Sequence, residues 1–551
     1  MNQGLGDKYV VPQWLPFRVA SQTRELTTFP VPGPVIDYGP ARIAFQESLD
    51  DFKQAPSVFV GTELMGVADV IGLKTSAKWL AEYVLTEPIA GKVAHGQARR
   101  ILGEVAVSQL SERAAIQSRK ARLQDFPHDA IAWIEQARLY TILGQRKKAE
   151  RAIKVGVHLA PSNRFVIRAA VRFYIHYDEW DEALRVAARA HAINPDPLIF
   201  GPLLSVATYL KKMPKSTKAA GEAALAADKP FVFSETLEAI GTLEVLNGAE
   251  QRAKKFFRHA WVDPTKSVIA HSQWILREQI PGLAADRRFD FTQSNEALGW
   301  LRFAFLDFKG AYASSTAWAL EEPYSKSPYV LGTIAGCQAE RFDLAIEAGE
   351  RGLGANPKDS LLLNNLAFAY LRNGDAVSAR KHFNSIKHLA DAPEEIAPAA
   401  TYGLLLMAEG AQIKGLEYYS TAIDRAVKCG NRRLALRTTL NLIISRLDTA
   451  KTIDPSVLRK AMETLPQYQD PGCLGAARAI NRRLQAATFT SSVELGTVAR
   501  EFRDSVEKES SRYLAAVQGR FIDVVARDHS PKTHDILPLE SPNREPELFS
   551  K

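Results

Sequence analysis

A ladder of prolines with a fixed rise constrains this chain more than any other feature. Pro127, Pro161, Pro195, Pro230 and Pro264 stand 34, 34, 35 and 34 residues apart. A second register rides on the first: Ala115, Ala149 and Ala183 share the 34-residue step, as do Tyr140 and Tyr174. A period of this length is the mark of stacked supersecondary units, each unable to bury its apolar face alone. A chance spacing of prolines does not explain alanine and tyrosine ladders that keep step with it.

The span from Ala130 to Pro161 shows what one unit is. Trp133, Ala137 and Tyr140 fall at i, i+4 and i+7, one face of a helix. Gly144 breaks the run, and Gln145 to Lys148 form a polar turn. Ala149, Ile153 and Gly156 restart a helix at steps of four and three. Pro161 stops it, because proline lacks the amide hydrogen and clashes with the preceding turn. Small residues at 137, 149 and 156 let two antiparallel helices approach closely, with Trp133 and Tyr140 filling the space beside them.

This pattern resembles the tetratricopeptide repeat family. Trp133, Ala137, Tyr140, Ala149 and Pro161 match its signature places. Ala170, Tyr174, Ala183, Ala190 and Pro195 repeat them, and Leu363, Leu366, Ala367, Tyr370, Ala379 and Phe383 match best. The resemblance covers roughly residues 96–428. It implies an all-α solenoid of helical hairpins in two blocks, 96–264 and 292–428. The blocks are separated because Pro264 and the next ladder proline, Pro323, are 59 residues apart, one repeat and 25 residues more. We read 265–291, which contains Ile280-Pro-Gly282, as a junction. Residues 62–95 read as a helical cap, 429–527 as a C-terminal helical cap and 528–551 as a disordered tail.

Residues 1–61 differ from the rest. Seven prolines between Pro12 and Pro56 argue against long helices, yet Trp14, Phe17, Phe29, Tyr38, Phe45, Phe52 and Phe59 are too apolar for a free tail. The segment reads as an extended arm packed on its own solenoid; an arm that docks a partner is the alternative. Within the next segment, Gly66 and Gly72-Leu-Lys-Thr75 resemble a phosphate loop with the wrong spacing, and the same stretch resembles a helix-turn-helix with Lys78 where an apolar residue belongs. An ordinary helix pair is the simpler reading.

Composition sets outer bounds. The chain has 551 residues, 46% of them hydrophobic, and a formal net charge of +8. Its pI of about 9.1 tilts it toward acidic partners. There is no apolar run of membrane-spanning length and no evident signal peptide, so no membrane association is expected. Cys337, Cys429 and Cys473 lie far apart and suit a reducing cytoplasm better than a disulfide framework. No catalytic or metal-ligating spacing is found, so neither an enzyme nor a cofactor is expected.

The resemblance places the useful surface in the concave groove, lined by the first helix of each repeat. In the first block, the carried-over positions include Arg100, Arg138, Arg168 and Arg172, a cationic trough suited to an acidic peptide. The alternative is internal pairing, as between Glu104 and Arg138. In the second block they include Trp300, Phe303, Val330, Ile334, Asn364, Phe368 and Leu371, an apolar trough that either docks a partner or lies under the N-terminal arm or the C-terminal helices. The expected role is a non-catalytic scaffold or adaptor holding a protein or peptide in a hetero-complex. A regulatory subunit of a partner enzyme is a second reading. A third is a nucleic-acid-associated regulator using basic turns at Arg146–Lys148, Lys211–Lys215 and Lys254–Lys255.

Overall fold

The computed structural model describes residues 9–14, 38–70, 73–91, 94–99, 101–102, 112–214, 217–227, 230–280, 289–449, 453–468, 470–486 and 493–521. Among these, the structure is helical and contains no strand. The presumed tail at 528–551 lies outside them.

Three helices open the chain: α1 (Tyr38–Gln54), α2 (Val58–Val70) and α3 (Lys74–Thr86). They share a small core of Phe45, Leu49, Phe52, Met65, Leu80 and Val84. The helix at Tyr38–Gln54 corrects the reading of 1–61 as extended throughout. No proline falls between Pro40 and Pro56, and Pro40 sits in the first turn of α1, where a missing amide costs no hydrogen bond. Phe45, Leu49 and Phe52 keep helical spacing within that window.

The first block follows as α4 (Glu112–Asp125) and the hairpins α5 (Ala130–Ile142) with α6 (Arg146–Leu159), α7 (Arg164–His176) with α8 (Trp180–Ile193), α9 (Pro197–Tyr209) with α10 (Thr217–Leu225), and α11 (Pro230–Leu246) with α12 (Glu250–Ala260). The proline ladder has a partner ladder of N-caps. Asp129, Asn163, Asp196 and Thr265 each stand one or two residues after a ladder proline and accept a backbone N–H of the next helix through a side-chain oxygen. Proline ends one hairpin and the cap begins the next, which fixes the repeat length. Ala137, Ala149, Ala170, Ala183 and Ala190 are fully buried, as the close-approach positions require.

The described residues of the proposed junction are largely helical. They contribute α13 (Lys266–Trp274) and a π-turn over Ile275–Gln279, with Val268, Ile269, Trp274 and Ile275 buried in a core shared with α12. The second block runs through α14 (Asn295–Ala304) with α15 (Phe308–Glu321), α16 (Ser327–Gln338) with α17 (Phe342–Ala355), α18 (Ser360–Arg372) with α19 (Ala376–Phe383), and α20 (Ile396–Ala408) with α21 (Gln412–Lys428). Helices α22 (Arg432–Thr449), α23 (Pro455–Thr464), α24 (Pro471–Ala486) and α25 (Val493–Arg520) complete the described chain.

The solenoid coils far enough to meet itself. Helix α5 contacts α17, and Arg138 Nη2 donates to the backbone oxygen of Glu321 at 2.8 Å. Gly144, in the left-handed region at φ +65°, lies so near the carbonyls of Gly354 and Ala355 that an added Cβ would stand 3.5 Å from each. The α5–α6 turn therefore touches a hairpin some 200 residues later, and the concave face becomes the wall of a chamber.

Candidate functional site

The chamber lies between the early repeats, α13 and the start of the second block, with a cavity of about 380 Å³. One wall is the chain's own N-terminal segment. Residues 9–14 run extended, and Val10, Pro12 and Trp14 are buried while Tyr9, Val11 and Gln13 are only partly so. That alternation is the period of an extended strand. The Tyr9 ring meets Tyr209 and Trp180 at centroid distances of 5.7 and 6.4 Å. Trp14, 1% exposed, packs against Phe173 of α7 at 6.2 Å and Tyr324 at 5.3 Å. It thus bridges the two turns of the coil. The reading of the N-terminal arm as packed on its own solenoid holds for these six residues.

The first-block arginines are spent on the chain itself. Arg168 is buried and makes a two-pronged pair with Glu235, at 2.5 and 2.8 Å, and donates to the Leu198 carbonyl at 2.6 Å. Arg172 reaches across the closure to Glu322 at 3.1 Å and Ser325 Oγ at 3.3 Å. Burial acts against its charge, but the Glu322 carboxylate and then Tyr324 outweigh it and hold its pKa above the ordinary value. Arg138 serves the Glu321 carbonyl. Arg100 and Glu104 lie outside the described residues. The open cationic trough is thereby corrected: three of its four arginines are structural, because the superhelix brings acids to Arg168 and Arg172 and a backbone carbonyl to Arg138.

Around the closure, Glu322 also accepts from Tyr324 OH at 3.2 Å and Trp318 Nε1 at 3.4 Å. His176 lies against the rings of Tyr177 and Tyr324. Burial, and after it the charges of Arg172 and Lys326, push its pKa down to about 3. On the opposite wall Trp300 carries the Arg277 guanidinium 5.4 Å above its ring. Gln273 also lines the chamber, and its buried Nε2 has no hydrogen-bond partner among the described residues.

Behind that wall is a buried polar array. The Glu238 carboxylate, fully enclosed, meets His271 Nδ1 at 2.8 Å, Ser272 Oγ at 3.0 Å and Trp261 Nε1 at 3.1 Å. Burial raises its pKa against the pull of those bonds. Thr242 Oγ1 is 3.5 Å from His271 Nε2, but the hydroxyl is buried and donates to the Glu238 backbone oxygen at 2.9 Å. The array ties α11 to α13.

The second trough is covered. Phe303 is buried with Phe308, Leu474, Ala477 and Ile480 in one core, so α24 of the C-terminal segment lies on it. Arg482 and Arg483 of α24 pair with Glu340, and Arg483 with Asp448. Val330 is buried beside Leu362 and Tyr329, with Ile334 packed against them. Asn364 is buried, and its Oδ1 has no hydrogen-bond partner. Phe368 and Leu371 pack against the core of α20 and α21. Of the seven second-block residues, only Trp300 faces the large chamber, while Ile334 and Phe368 line a smaller cavity of about 80 Å³. The covering by C-terminal helices was the alternative reading, and it is the one the structure adopts.

Each basic turn has one of its cations paired. Arg146 pairs with Glu179, Lys212 with Asp181 at 2.6 Å, and Lys254 with Glu250 at 2.6 Å. Acids of the turn at 178–182 thus face the cations of the turns on either side. Sequence reasoning missed Glu235, Glu238 and Glu322, the acids that organise the interior. The legible signal was three carboxylates, Glu235, Glu238 and Glu244, in a helix with apolar residues on every side, Phe231 to Leu246.

No family model and no curated protein matches the chain. Solved structures do show similarity. Yeast Tom70 is 14% identical, covering 76% of this chain and 97% of that one, with a TM-score of 0.26. The structure of Naa15/Naa10 bound to HypK-THB is 16% identical over 88% of this chain and 92% of that one, at a TM-score of 0.23. The APC/C hetero-tetramer Cut9-Hcn1 is 13% identical over 84% and 93%, at 0.32. Among the described residues, the fold of this chain is an all-α solenoid of helical hairpins. Among the described residues, no helix is long and apolar enough to cross a membrane.

Proposed function

We propose that this protein is a non-catalytic scaffold that holds an extended segment of a partner protein along the wall of its concave chamber. The observation that carries the reading is the seat of residues 9–14. An extended segment with alternate residues buried already lies between Trp180, Tyr209, Phe173 and Tyr324, so this wall is shaped for such a ligand. A cavity of about 380 Å³ remains beside it, lined by Trp274, Trp300 and Gln273. Aromatic walls with a few fixed polar groups suit a peptide better than a nucleic-acid backbone, and the paired turns favour a protein partner for the same reason.

The test uses a photo-crosslinking residue placed singly at Trp300, at Arg277 and, as outer-surface controls, at Val377 and Ile413. Each is examined in the full chain and in a Trp14→Ala background that loosens the N-terminal segment. A partner crosslinked from 300 and 277 but not from 377 or 413, with a yield raised by Trp14→Ala, is the expected result. Equal yields from all four positions, or a yield that falls when Trp14 is removed, would refute the chamber as the docking site.

A further inference from the structure

The smaller cavity lies between the second block and the C-terminal segment that covers it. Helices α16 and α18 supply one side, α22 and α24 the other. Its polar lining is unusual in its balance. Arg372, Arg482 and Arg483 share only two carboxylates, Asp448 and Glu340. A fourth cation, Arg437, lines the cavity half-buried and makes no ion pair or hydrogen bond among the described residues. Of the charged residues that line the cavity, Arg372 and Arg437 outnumber Glu340 by one positive charge. The only acid in the lining is Glu340, and both of its oxygens are already taken by arginines.

We infer that this cavity is an oxyanion site, sized for one phosphate group and held by Arg372 and Arg437 from opposite sides. Guanidinium groups meet phosphate oxygens through paired, directional N–H bonds, and a half-buried one without an acid is costly unless an anion completes it. Neutral donors complete the set. The side-chain amides of Gln338 and Asn441 line the cavity and make no hydrogen bond among the described residues. The Cys337 thiol is pushed up to about 12 by burial, against the opposing charges of Arg372 and Arg437, so it stays neutral and adds no repulsion. Burial, opposed by Asp448 and assisted by Arg483, lowers the pKa of Arg372, which marks a guanidinium short of compensating charge.

Size and shape select the class. A water needs about 10–15 Å³ of such space, so about 80 Å³ admits several waters or one tetrahedral oxyanion. Donors arrive from the solenoid on one side and the C-terminal helices on the other. A tetrahedral anion offers acceptors in all those directions, whereas a planar carboxylate presents one edge. The ligand would therefore bridge α18 to α22 and strengthen the docking of the C-terminal segment on the second block. This site is separate from the concave chamber, and its failure leaves the scaffold reading untouched.

Titration calorimetry on the full chain tests it, with inorganic phosphate as one probe and glycerol phosphate as the other. The expected result is saturable one-to-one binding of at least one probe, weakened about tenfold or more in Arg437→Gln, equivalent to about 1.4 kcal/mol. Arg437→Lys keeps the charge but loses the paired donors, and should bind between the parent and Arg437→Gln. Arg459→Gln, at the exposed pair with Glu494, should bind as the parent does. Tighter binding of inorganic phosphate assigns a free anion; tighter binding of glycerol phosphate assigns a phosphomonoester. No saturable binding of either probe overturns the inference, as does unchanged binding in Arg437→Gln. Should that variant fold poorly by circular dichroism, Asn441→Ala replaces it with the same expected loss and the same refuting outcome.

Discussion

Arg168→Met should damage stability rather than partner binding, and the size of the effect follows from its surroundings. The residue lies on α7 and its guanidinium crosses α9, bonding the Leu198 carbonyl before meeting Glu235 on α11. Three consecutive hairpins are therefore joined by one side chain. Side-chain exposure is 3% for Arg168 and 0% for Glu235. With the arginine gone, Glu235 keeps the Thr265 Oγ1 donor at 2.9 Å and loses its countercharge. Breaking a buried pair in this way costs about 3–5 kcal/mol, since desolvation of the remaining charge goes uncompensated. Replacing both partners with apolar residues of similar volume should recover most of that loss. A long solenoid does not unfold in one step, so a single melting temperature is a poor gauge. Amide hydrogen exchange in α7 and α11 is the suitable assay. Protection there should fall by about two to nearly four orders of magnitude in Arg168→Met, at about 1.4 kcal/mol per decade, and return in Arg168→Met/Glu235→Met. A single-variant loss under about 1 kcal/mol, with the double variant equal to the sum of the singles, would show the pair to be solvated and restore Arg168 as a groove residue.

Two further outcomes follow from the closure and from helix packing. The folded pKa of His176 lies at about 3, below the ordinary value of about 6.5, so between those values the unfolded chain binds a proton that the folded chain does not. Its contribution is fully present above the unfolded value and declines as pH falls toward the folded one. His176→Gln should thus flatten the thermal stability profile between about pH 6.5 and about pH 4, and parallel profiles for parent and variant would contradict this. Gly201→Ala should cost about 1–3 kcal/mol by overpacking, because a Cβ there would sit 2.8 Å from the Glu235 carbonyl carbon and force α9 from α11. Amide hydrogen exchange in α9 and α11 reads it, and unchanged protection there would show that the helices separate freely.

Much of the architecture was legible because it is local and repeated. Hairpin positions follow from residues whose roles depend on neighbours within one unit, such as Ala149 at a close-approach position or Gly144 at the break between two helices. The helix at Tyr38–Gln54 was obscured because proline number was weighed over proline position, and the window from 41 to 55 contains none. The site was less legible. Concave positions were rightly placed on the first helices of the hairpins, yet what faces Arg168, Arg172 and Phe303 comes from residues 67, 150 and about 170 positions away.

The sequence by itself determined the unit: its length, its two helices, its small-residue contacts and the way each proline hands over to the next cap. These are set by backbone sterics and side-chain volume over a few turns of chain. Only the tertiary structure decided what the grooves contain. The slight rotation from each hairpin to the next, summed over the stack, brings Glu322 to Arg172, lays residues 9–14 along the chamber wall and folds α24 over the second trough. That sum depends on every interface at once, and no single repeat encodes it.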